Sequence, residues 1–330
     1  MSRLAATVRQ GSKEPVAITE AALTNGSVPC SLDDLLLETH GRLPQDCQVH
    51  FAFGTERNWG GRHENEDRWA AHSDTEGNVP FHVLAVMDGH DSEAASDTVG
   101  RRLPGILSKQ LRDGITVEEA YTQTMAELED ELKEVHATAG TCVVSCLVAG
   151  RFIWCANLGD CRAAIVPLQP LRANSVPILD GLCWMSCDHK ASDCAERQRI
   201  EEAGGRVIDG RVDGLEPSRS LGDFDVKQQT AEGVISIVPD VRRYELGDGS
   251  GPAQAILICA TDGVWDVVSG KDICDLIQAH KDLAELQQGG IDASADCQPL
   301  KDLADDLVKF SIARGSRDDC TAVVAFVSVA

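Results

Sequence analysis

The sequence lacks any apolar run that approaches the roughly 20 residues needed to cross a bilayer, and its longest apolar runs have the length of single strands. The first residues, MSRLAATVRQ, contain no apolar core of secretory length, and Ser2 stands where myristoylation requires glycine. These absences predict an intracellular protein without a membrane span. A cytoplasmic location is expected, and the sequence leaves a nuclear one open.

Basic residues are also scarce, because 30 Lys and Arg stand against 53 Asp and Glu and give a formal net charge of −23. A surface of this charge repels a phosphate backbone, so the composition argues against nucleic-acid binding. Solubility alone accounts for most of the acids. It does not account for acids placed at the ends of apolar strands.

The 13 cysteines lack the spacing of a metal or disulfide framework. Cys183 and Cys187 come nearest to a zinc pair, but no second Cys or His pair lies at finger-like spacing. The odd number and the scatter through apolar runs favour buried free thiols in a reducing compartment.

No internal repeat or low-complexity tract divides the chain. Residues 1–48 are rich in turn residues and are predicted to form an N-terminal extension, with a short helix over 32–39 capped by Ser31. Residues 49–330 are long and apolar enough for one large domain, which is expected to be a monomer.

The pattern of apolar residues predicts strands and helices in separate groups. Strands are predicted over 81–87, 141–149, 151–158, 162–167, 255–260 and 321–329. Helices are predicted over 92–112, 117–136, 192–203 (with Ser192 as cap) and 299–314, and a surface loop over 283–298. Because strands do not alternate strictly with helices, the order predicts an α+β domain with antiparallel sheets and helices packed outside.

Acidic residues recur at the predicted strand ends. They lie in Glu66-Asp67, Asp88-Gly89-His90, Gly159-Asp160, Asp262-Gly263 and Asp318-Asp319. Each alone is weak, because Asp-Gly after a strand is most often a turn and a Glu-Asp pair is most often solvated surface. Strand ends in one layered domain tend to meet at one edge, and carboxylates that meet there repel one another unless cations neutralise them.

Oxygen ligands without a Cys or His cluster indicate hard cations, Mg²⁺ or Mn²⁺, rather than zinc. Such ions lower the pKa of a bound water, which makes hydroxide available near neutral pH. Arg62, four residues before Glu66, offers a planar guanidinium suited to a phosphate. His90, two residues after Asp88, is placed to act as a general acid, although an isolated histidine is more often structural.

A series of motifs follows in order over roughly residues 50–330. These are Arg62-x-x-x-Glu66-Asp67, Asp88-Gly89-His90, Gly140-Thr141, Asn157-x-Gly159-Asp160-x-Arg162, Asp188-His189-Lys190, Ser218-Arg219-Ser220-x-Gly222-Asp223, Asp262-Gly263-x-Trp265-Asp266 and Asp318-x-x-Thr321. One such motif is weak, but the ordered set is specific. It resembles the protein phosphatase 2C family of Mg²⁺/Mn²⁺-dependent serine/threonine phosphatases.

The resemblance implies a central antiparallel β-sandwich flanked on both sides by pairs of helices, with two metals at one end. By analogy with the family, Asp88, Asp262 and Asp318 would hold one metal. Asp67 would hold the other, with Asp88 bridging and the Gly89 carbonyl contributing.

Further roles are implied in the same way. Glu66 would hold water near the second metal, and Asp160, Asp262 and Asp266 would match a weaker third position. Residues 206–217 would form a flap beside the site. The loop at 188–190 is expected to support the site rather than to perform chemistry.

The implied reaction is direct hydrolysis of phosphoserine and phosphothreonine in proteins. A metal-bridged hydroxide would attack phosphorus in line, with no phosphoenzyme. Arg62 would bind the phosphate, and His90 would protonate the leaving oxygen.

Two positions depart from the family pattern. Asp91-Ser92 follow the Asp-Gly-His motif where glycines are common, and Ser92 is predicted to cap the next helix. Asp318-Asp319 replace the usual Asp-Asn, which removes an amide. Neither change removes a proposed metal ligand.

Two alternatives remain beside the enzyme. A pseudophosphatase would keep the fold as a binding scaffold, but such a protein should lose metal carboxylates or Arg62, and this sequence retains them. A cation-binding regulatory domain would bind metal without hydrolysis.

Overall fold

The computed structural model describes residues 30–38, 47–57, 63–76, 78–135, 138–169, 178–249, 251–288 and 297–330. Within these ranges the strands are β1 (Cys47–Glu56), β2 (Arg68–Asp74), β3 (Phe81–His90), β4 (Gly140–Ala149), β5 (Phe152–Leu158), β6 (Arg162–Gln169), β7 (Ile178–Leu179), β8 (Cys183–Trp184), β9 (Leu221–Gly222), β10 (Asp240–Glu245), β11 (Ala253–Ala260) and β12 (Cys320–Val329).

The helices in the same ranges are α1 (Leu32–Glu38), α2 (Ala94–Arg112), α3 (Val117–Val135), α4 (Cys194–Glu202), α5 (Phe224–Gln229), α6 (Asp262–Trp265), α7 (Gly270–Ala279), α8 (Leu283–Gln287) and α9 (Gln298–Ala313). None of them is both long and apolar enough to cross a membrane.

The strands form two antiparallel sheets. The first has the order β1-β12-β11-β6-β7, with β8 also paired to β6, and the second has the order β10-β5-β4-β3-β2, with β9 paired to β4. One hydrophobic cluster fills the space between the sheets, and two others fill the outer faces beneath α2–α3 and α7–α9. The predicted α+β sandwich with helices on both sides is therefore confirmed.

Strand β4 shows why the sequence folds in layers. Its residues are buried throughout, and successive side chains point to opposite faces. Val143 and Leu147 pack under the helices, whereas Val144 and Cys146 face the other sheet. A strand covered on both faces reads as a continuous apolar run, which is why residues 141–149 were recognisable from the sequence.

The end of β3 differs from the predicted strand over 81–87. The strand continues to His90, because Asp88, Gly89 and His90 pair with Cys142, Thr141 and Gly140 of β4. The Asp88-Gly89-His90 motif thus lies within strand β3 rather than after its end. Its backbone is held by ladder hydrogen bonds, which fixes the direction of the Asp88 side chain.

Two local predictions were wrong. Helix α4 begins at Cys194 with Asp193 as the N-cap residue, not Ser192, because the chain is still extended at Asp193. The predicted loop 283–298 contains α8, whose apolar residues Leu283 and Leu286 are buried under the first sheet; residues 289–296 lie outside the described part.

The described part of the N-terminal segment packs on the domain. Ser31 caps α1 as predicted, since its hydroxyl accepts the Asp34 N–H while the Asp34 carboxylate accepts the Ser31 N–H. Leu32 and Leu35 are buried in the cluster beneath α2 and α3. The boundary at residue 48 stays a prediction, and residues 1–29 and 39–46 lie outside the described ranges.

All 13 cysteines fall within the described ranges and are free thiols. Cys183 is buried and Cys187 is exposed, and neither belongs to a group of metal-ligating side chains among the described residues.

Candidate metal centre

Three carboxylates converge where strands of both sheets end. Asp88 is near the end of β3, Asp160 lies between β5 and β6, and Asp262 begins α6 directly after β11. One carboxylate oxygen from each lies within 4.8 Å of the others. The structure therefore brings Asp88, Asp160 and Asp262 together at one edge, whereas their role as metal ligands stays a prediction.

Asp67 joins this cluster from the residue before β2. Its side chain is buried, and Oδ2 accepts a hydrogen bond of 3.0 Å from the Thr261 hydroxyl. Its other oxygen, Oδ1, is buried without a hydrogen-bond partner. A buried carboxylate oxygen without a partner is costly, so this atom fits a cation ligand.

Burial and mutual repulsion raise the pKa values of the carboxyls in the cluster. Burial raises the pKa of Asp88, and the charges of Asp262, Asp67, Asp160 and Asp318 raise it further. Burial, together with Asp160 and Asp318, raises the pKa of Asp262 to about 7. Carboxylate oxygens are the ligands that hard divalent cations prefer, so the residues fit Mg²⁺ or Mn²⁺.

Asp318 and Asp319 connect the last strand to Glu66. Asp318 Oδ1 accepts the Asp319 N–H at 2.9 Å, and Asp319 Oδ2 accepts the Glu66 N–H at 2.7 Å. The Asp319 carboxylate thus accepts a hydrogen bond from the Glu66 backbone, a contact that an amide oxygen could also make. Burial raises the pKa of the Asp318 carboxyl.

Position 89 has room only for glycine, because the backbone of Glu66 lies directly against it. A Cβ at this position would lie 2.5 Å from the Glu66 carbonyl oxygen. The Ser96 hydroxyl of α2 donates to the same oxygen at 2.5 Å. The Glu66 side chain faces His63, with 3.7 Å between Oε2 and Nδ1, and burial raises its pKa.

His90 is held by a residue to which sequence reasoning gave no role. Its Nε2 lies 2.7 Å from Asp223 Oδ1, and Asp223 Oδ2 accepts the Ser220 hydroxyl at 2.5 Å. A Cβ on Gly140 would lie 2.3 Å from both Asp223 Oδ2 and His90 Nε2, so glycine leaves room for the pair. Burial lowers the pKa of His90, but the Asp223 hydrogen bond and charge outweigh it and the pKa is raised.

Asp91 adopts the left-handed conformation, with φ of 61°. Glycine reaches this region most easily and aspartate tolerates it, which explains how the chain makes the turn without the usual glycine. Ser92 does not serve as the N-cap residue of α2, which is Glu93, but its hydroxyl accepts the Ala94 N–H at 3.4 Å.

Asp266 lies at the rim of the cluster and is half exposed. The Lys190 ammonium group is 3.3 Å from Asp266 Oδ1 and 3.2 Å from Glu216 Oε1. The neighbouring Asp188 makes two hydrogen bonds with the Arg162 guanidinium, of 2.7 and 2.6 Å.

The structure thus gathers Asp67, Asp88, Asp160, Asp262 and Asp318 at one end of the sandwich, with Glu66, Gly89 and His90 beside them and Asp266 at the rim. Arg62 lies outside the described residues. The missed residues Asp223 and Lys190 both stood in matched motifs. No local pattern in the sequence reveals the contact of Asp223 with His90, because Asp223 lies on a loop that meets the site only in three dimensions.

Comparison with known proteins agrees with this architecture. The family profile described as "Protein phosphatase 2C" matches residues 51–320. "Probable protein phosphatase 2C 54" of Oryza sativa subsp. japonica is 26% identical over 282 residues, which cover 80% of this chain and 69% of that protein. "Probable protein phosphatase 1N" of Mus musculus is 31% identical over 254 residues, which cover 73% of this chain and 56% of that protein.

Solved structures share the fold. A phosphatase structure from a pathogenic strain of Toxoplasma gondii superposes with a TM-score of 0.62 at 21% identity, over 84% of this chain and 94% of that one. A second, described as serine-threonine phosphatase 2C from Toxoplasma gondii, gives 0.59 at 22% identity, over 86% of this chain and 97% of that one. The profile match covers most of the chain, and the chain belongs to the protein phosphatase 2C family.

Proposed function

We propose that this chain removes phosphate from phosphoserine and phosphothreonine in proteins with the help of Mg²⁺ or Mn²⁺. The observation that carries the proposal is the carboxylate cluster, in which Asp88, Asp160 and Asp262 approach within 4.8 Å and Asp67 keeps a buried oxygen without a partner. Family membership supports the reaction class. The cluster supports the metal requirement.

The ligand assignment follows the family pattern where this chain matches it. Asp88, Asp262 and Asp318 would hold one ion, while Asp67, Asp88 and the Gly89 carbonyl would hold a second. When bound, such ions lower the pKa of water and offset the charge of a phosphoryl group. Glu66, whose backbone is fixed by Asp319 and Ser96, orients water at the edge of the pair.

His90 supplies the proton for the leaving oxygen. Asp223 occupies Nε2, so Nδ1 is the nitrogen left to donate. The hydrogen bond and charge of Asp223 raise the pKa of His90, which favours the protonated imidazole that a general acid requires. Arg62 binds the substrate phosphate through its guanidinium fork.

The test is hydrolysis of a phosphothreonine peptide by purified protein with Mn²⁺, with Mg²⁺ and with EDTA. We expect turnover that needs the cation and disappears with the chelator. A phosphotyrosine peptide of the same sequence measures the residue preference.

Two variants make the test specific to the cluster. Asp262→Asn should be inactive, whereas Asp275→Asn, an equivalent change at an exposed ion pair on α7, should keep wild-type turnover. Folded wild-type protein that binds metal but shows no turnover with any peptide would favour the binding scaffold over the enzyme.

A further inference from the structure

We propose that Lys190 is an internal cation of the metal centre, whose ammonium group occupies the space beside Asp160 and Asp266 and weakens the binding of a third divalent ion. This inference rests on the proposed metal-dependent function. It concerns Lys190, which lies at the rim of the cluster, and it predicts how tightly the centre binds a third ion.

The backbone of Lys190 is fixed relative to Asp160. The Gly159 N–H donates to His189 Nδ1 at 3.2 Å, and the His189 N–H donates to the Gly159 carbonyl at 2.9 Å. The loop that carries Lys190 and the loop that carries Asp160 are therefore joined at the residues directly before them. The Arg162–Asp188 pair ties the same two loops a second time.

The side chain of Lys190 is directed at the rim carboxylates. Its Nζ lies 3.3 Å from Asp266 and 3.2 Å from Glu216, and only 18% of the side chain is exposed. Burial lowers its pKa, but the charges of Asp160, Asp266 and Glu216 outweigh burial and the pKa is raised. The charge of Lys190 in turn opposes the rise in the pKa of Asp160.

The two sides of the cluster consequently differ. The neighbouring charges that act most strongly on Asp88 are all carboxylates. Asp160 and Asp266 share one fixed positive charge. A divalent ion that bound between Asp160, Asp262 and Asp266 would face the repulsion of this charge in a partly buried site, where repulsion is weakly screened.

Mn²⁺ titration followed by electron paramagnetic resonance of the free ion measures the number and affinity of the bound ions without any turnover. We would compare the wild type with Lys190→Gln and Lys190→Arg, and with Lys271→Gln as a matched control at an exposed Lys–Asp pair on α7. The two stronger ions should bind alike in all four proteins.

The affinity for a third Mn²⁺ ion should differ among the four proteins. Its affinity should increase by about tenfold or more in Lys190→Gln, because a repelling charge is gone, and stay at the wild-type value in Lys190→Arg and Lys271→Gln. An unchanged or weaker third ion in folded Lys190→Gln would overturn the proposal. Absence of any bound ion in the wild type would instead overturn the metal centre itself.

A measurement on the wild type covers the case in which Lys190→Gln does not fold. Acetylation of Lys190 by acetic anhydride, quantified by mass spectrometry relative to Lys271, reports whether the ammonium is displaced. Relative labelling should rise as Mn²⁺ is increased beyond saturation of the first two ions. Constant relative labelling over that range would contradict the proposal.

Discussion

Two clusters of charged residues in this molecule are built in opposite ways. The carboxylate cluster comprises Asp67, Asp88, Asp160, Asp262 and Asp318. The arginine–acid network comprises Glu196, Arg199, Arg219 and Asp240 and joins α4 to the loop before β10. The first brings acids together, whereas the second pairs each acid with a base.

In the arginine–acid network, attraction exceeds the cost of burial. Glu196 accepts hydrogen bonds from Arg219 at 2.6 Å, from Arg199 at 2.9 Å and from the Ser218 hydroxyl at 2.5 Å. Burial raises its pKa, but these partners outweigh burial and lower it to about 2. Arg219 also binds Asp240 at 2.9 Å, so the network is neutralised by its own residues.

In the carboxylate cluster, burial and repulsion act in the same direction. The pKa of Asp262 is raised to about 7, and those of Asp67 and Asp88 are raised as well. Burial of acids is therefore not itself a sign of function. What distinguishes the carboxylate cluster is that its acids raise one another's pKa and that Lys190, beside Asp160 and Asp266, is the base that counters them there.

The strongest test of this difference is Asp262→Asn. The variant removes a proposed ligand, so activity with a phosphothreonine peptide should fall by more than about 100-fold, the upper range seen when only a supporting residue of a metal site is lost. Steady-state kinetics at fixed Mn²⁺ measures the effect. Near-normal turnover at modest Mn²⁺ would remove Asp262 from the centre.

In the arginine–acid network, removal of an acid should lower the stability of the fold rather than the activity. Glu196→Ala removes the carboxylate that two partly buried guanidinium groups share, although both keep other acceptors, so the free energy of unfolding should fall by about 2–3 kcal/mol. Urea unfolding measures it, with Glu131→Ala as the control because its exposed pair with Arg102 contributes at most about 1 kcal/mol. A loss at Glu196 no larger than that at Glu131 would contradict the contrast.

The pH dependence of the metal-free protein is a further test of the carboxylate cluster. Asp262 has a pKa of about 7 in the folded protein against an ordinary value of 3.8, so the folded state binds one more proton than the unfolded state between these pH values. Stability attributable to Asp262 is therefore fully present below about pH 4 and is lost as the pH rises to 7, by on the order of 4 kcal/mol.

Thermal unfolding in EDTA between pH 5 and pH 8 measures the stability attributable to Asp262 as the difference between the wild type and Asp262→Asn. The wild type should lose more stability over this range than the variant, and saturating Mn²⁺ should reduce the loss. Parallel pH profiles for the two proteins would show that Asp262 is not perturbed.

The smallest expected effect is on Arg62, an arginine that belongs to neither cluster. Arg62→Ala should raise KM by about tenfold with a smaller change in kcat, because a phosphate contact present before and during reaction is removed. The Arg57→Ala variant, a neighbouring arginine without a proposed role, is the control. An unchanged KM would place Arg62 away from the substrate.

Much of the fold was predictable because the sandwich buries its strands on both faces. Continuous apolar runs such as 141–149 and 321–329 therefore match β4 and β12 closely. Edge and half-buried strands were missed: β1, β2 and β10 carry mixed polar and apolar residues, so their pattern is weaker. Helix α7 was missed although its Ser269–Asp272 capping box is a sequence signal.

The metal cluster was predictable for a different reason. Strand ends carry Asp88 and Asp262, and their convergence follows from layered packing. The position of Lys190 and the contact of Asp223 with His90 depend on loops that meet only in three dimensions, so no local pattern reveals them.

Divalent cations should neutralise the carboxylate cluster. Isothermal titration calorimetry of metal-free protein with Mn²⁺ at pH 7, repeated in buffers of different ionisation enthalpy, measures this binding, since metal binding to carboxyls of raised pKa must release protons. We predict at least two bound ions with measurable proton release, retained in Glu196→Ala and impaired in Asp262→Asn. Absence of binding, or binding that Asp262→Asn leaves unchanged, would contradict the account.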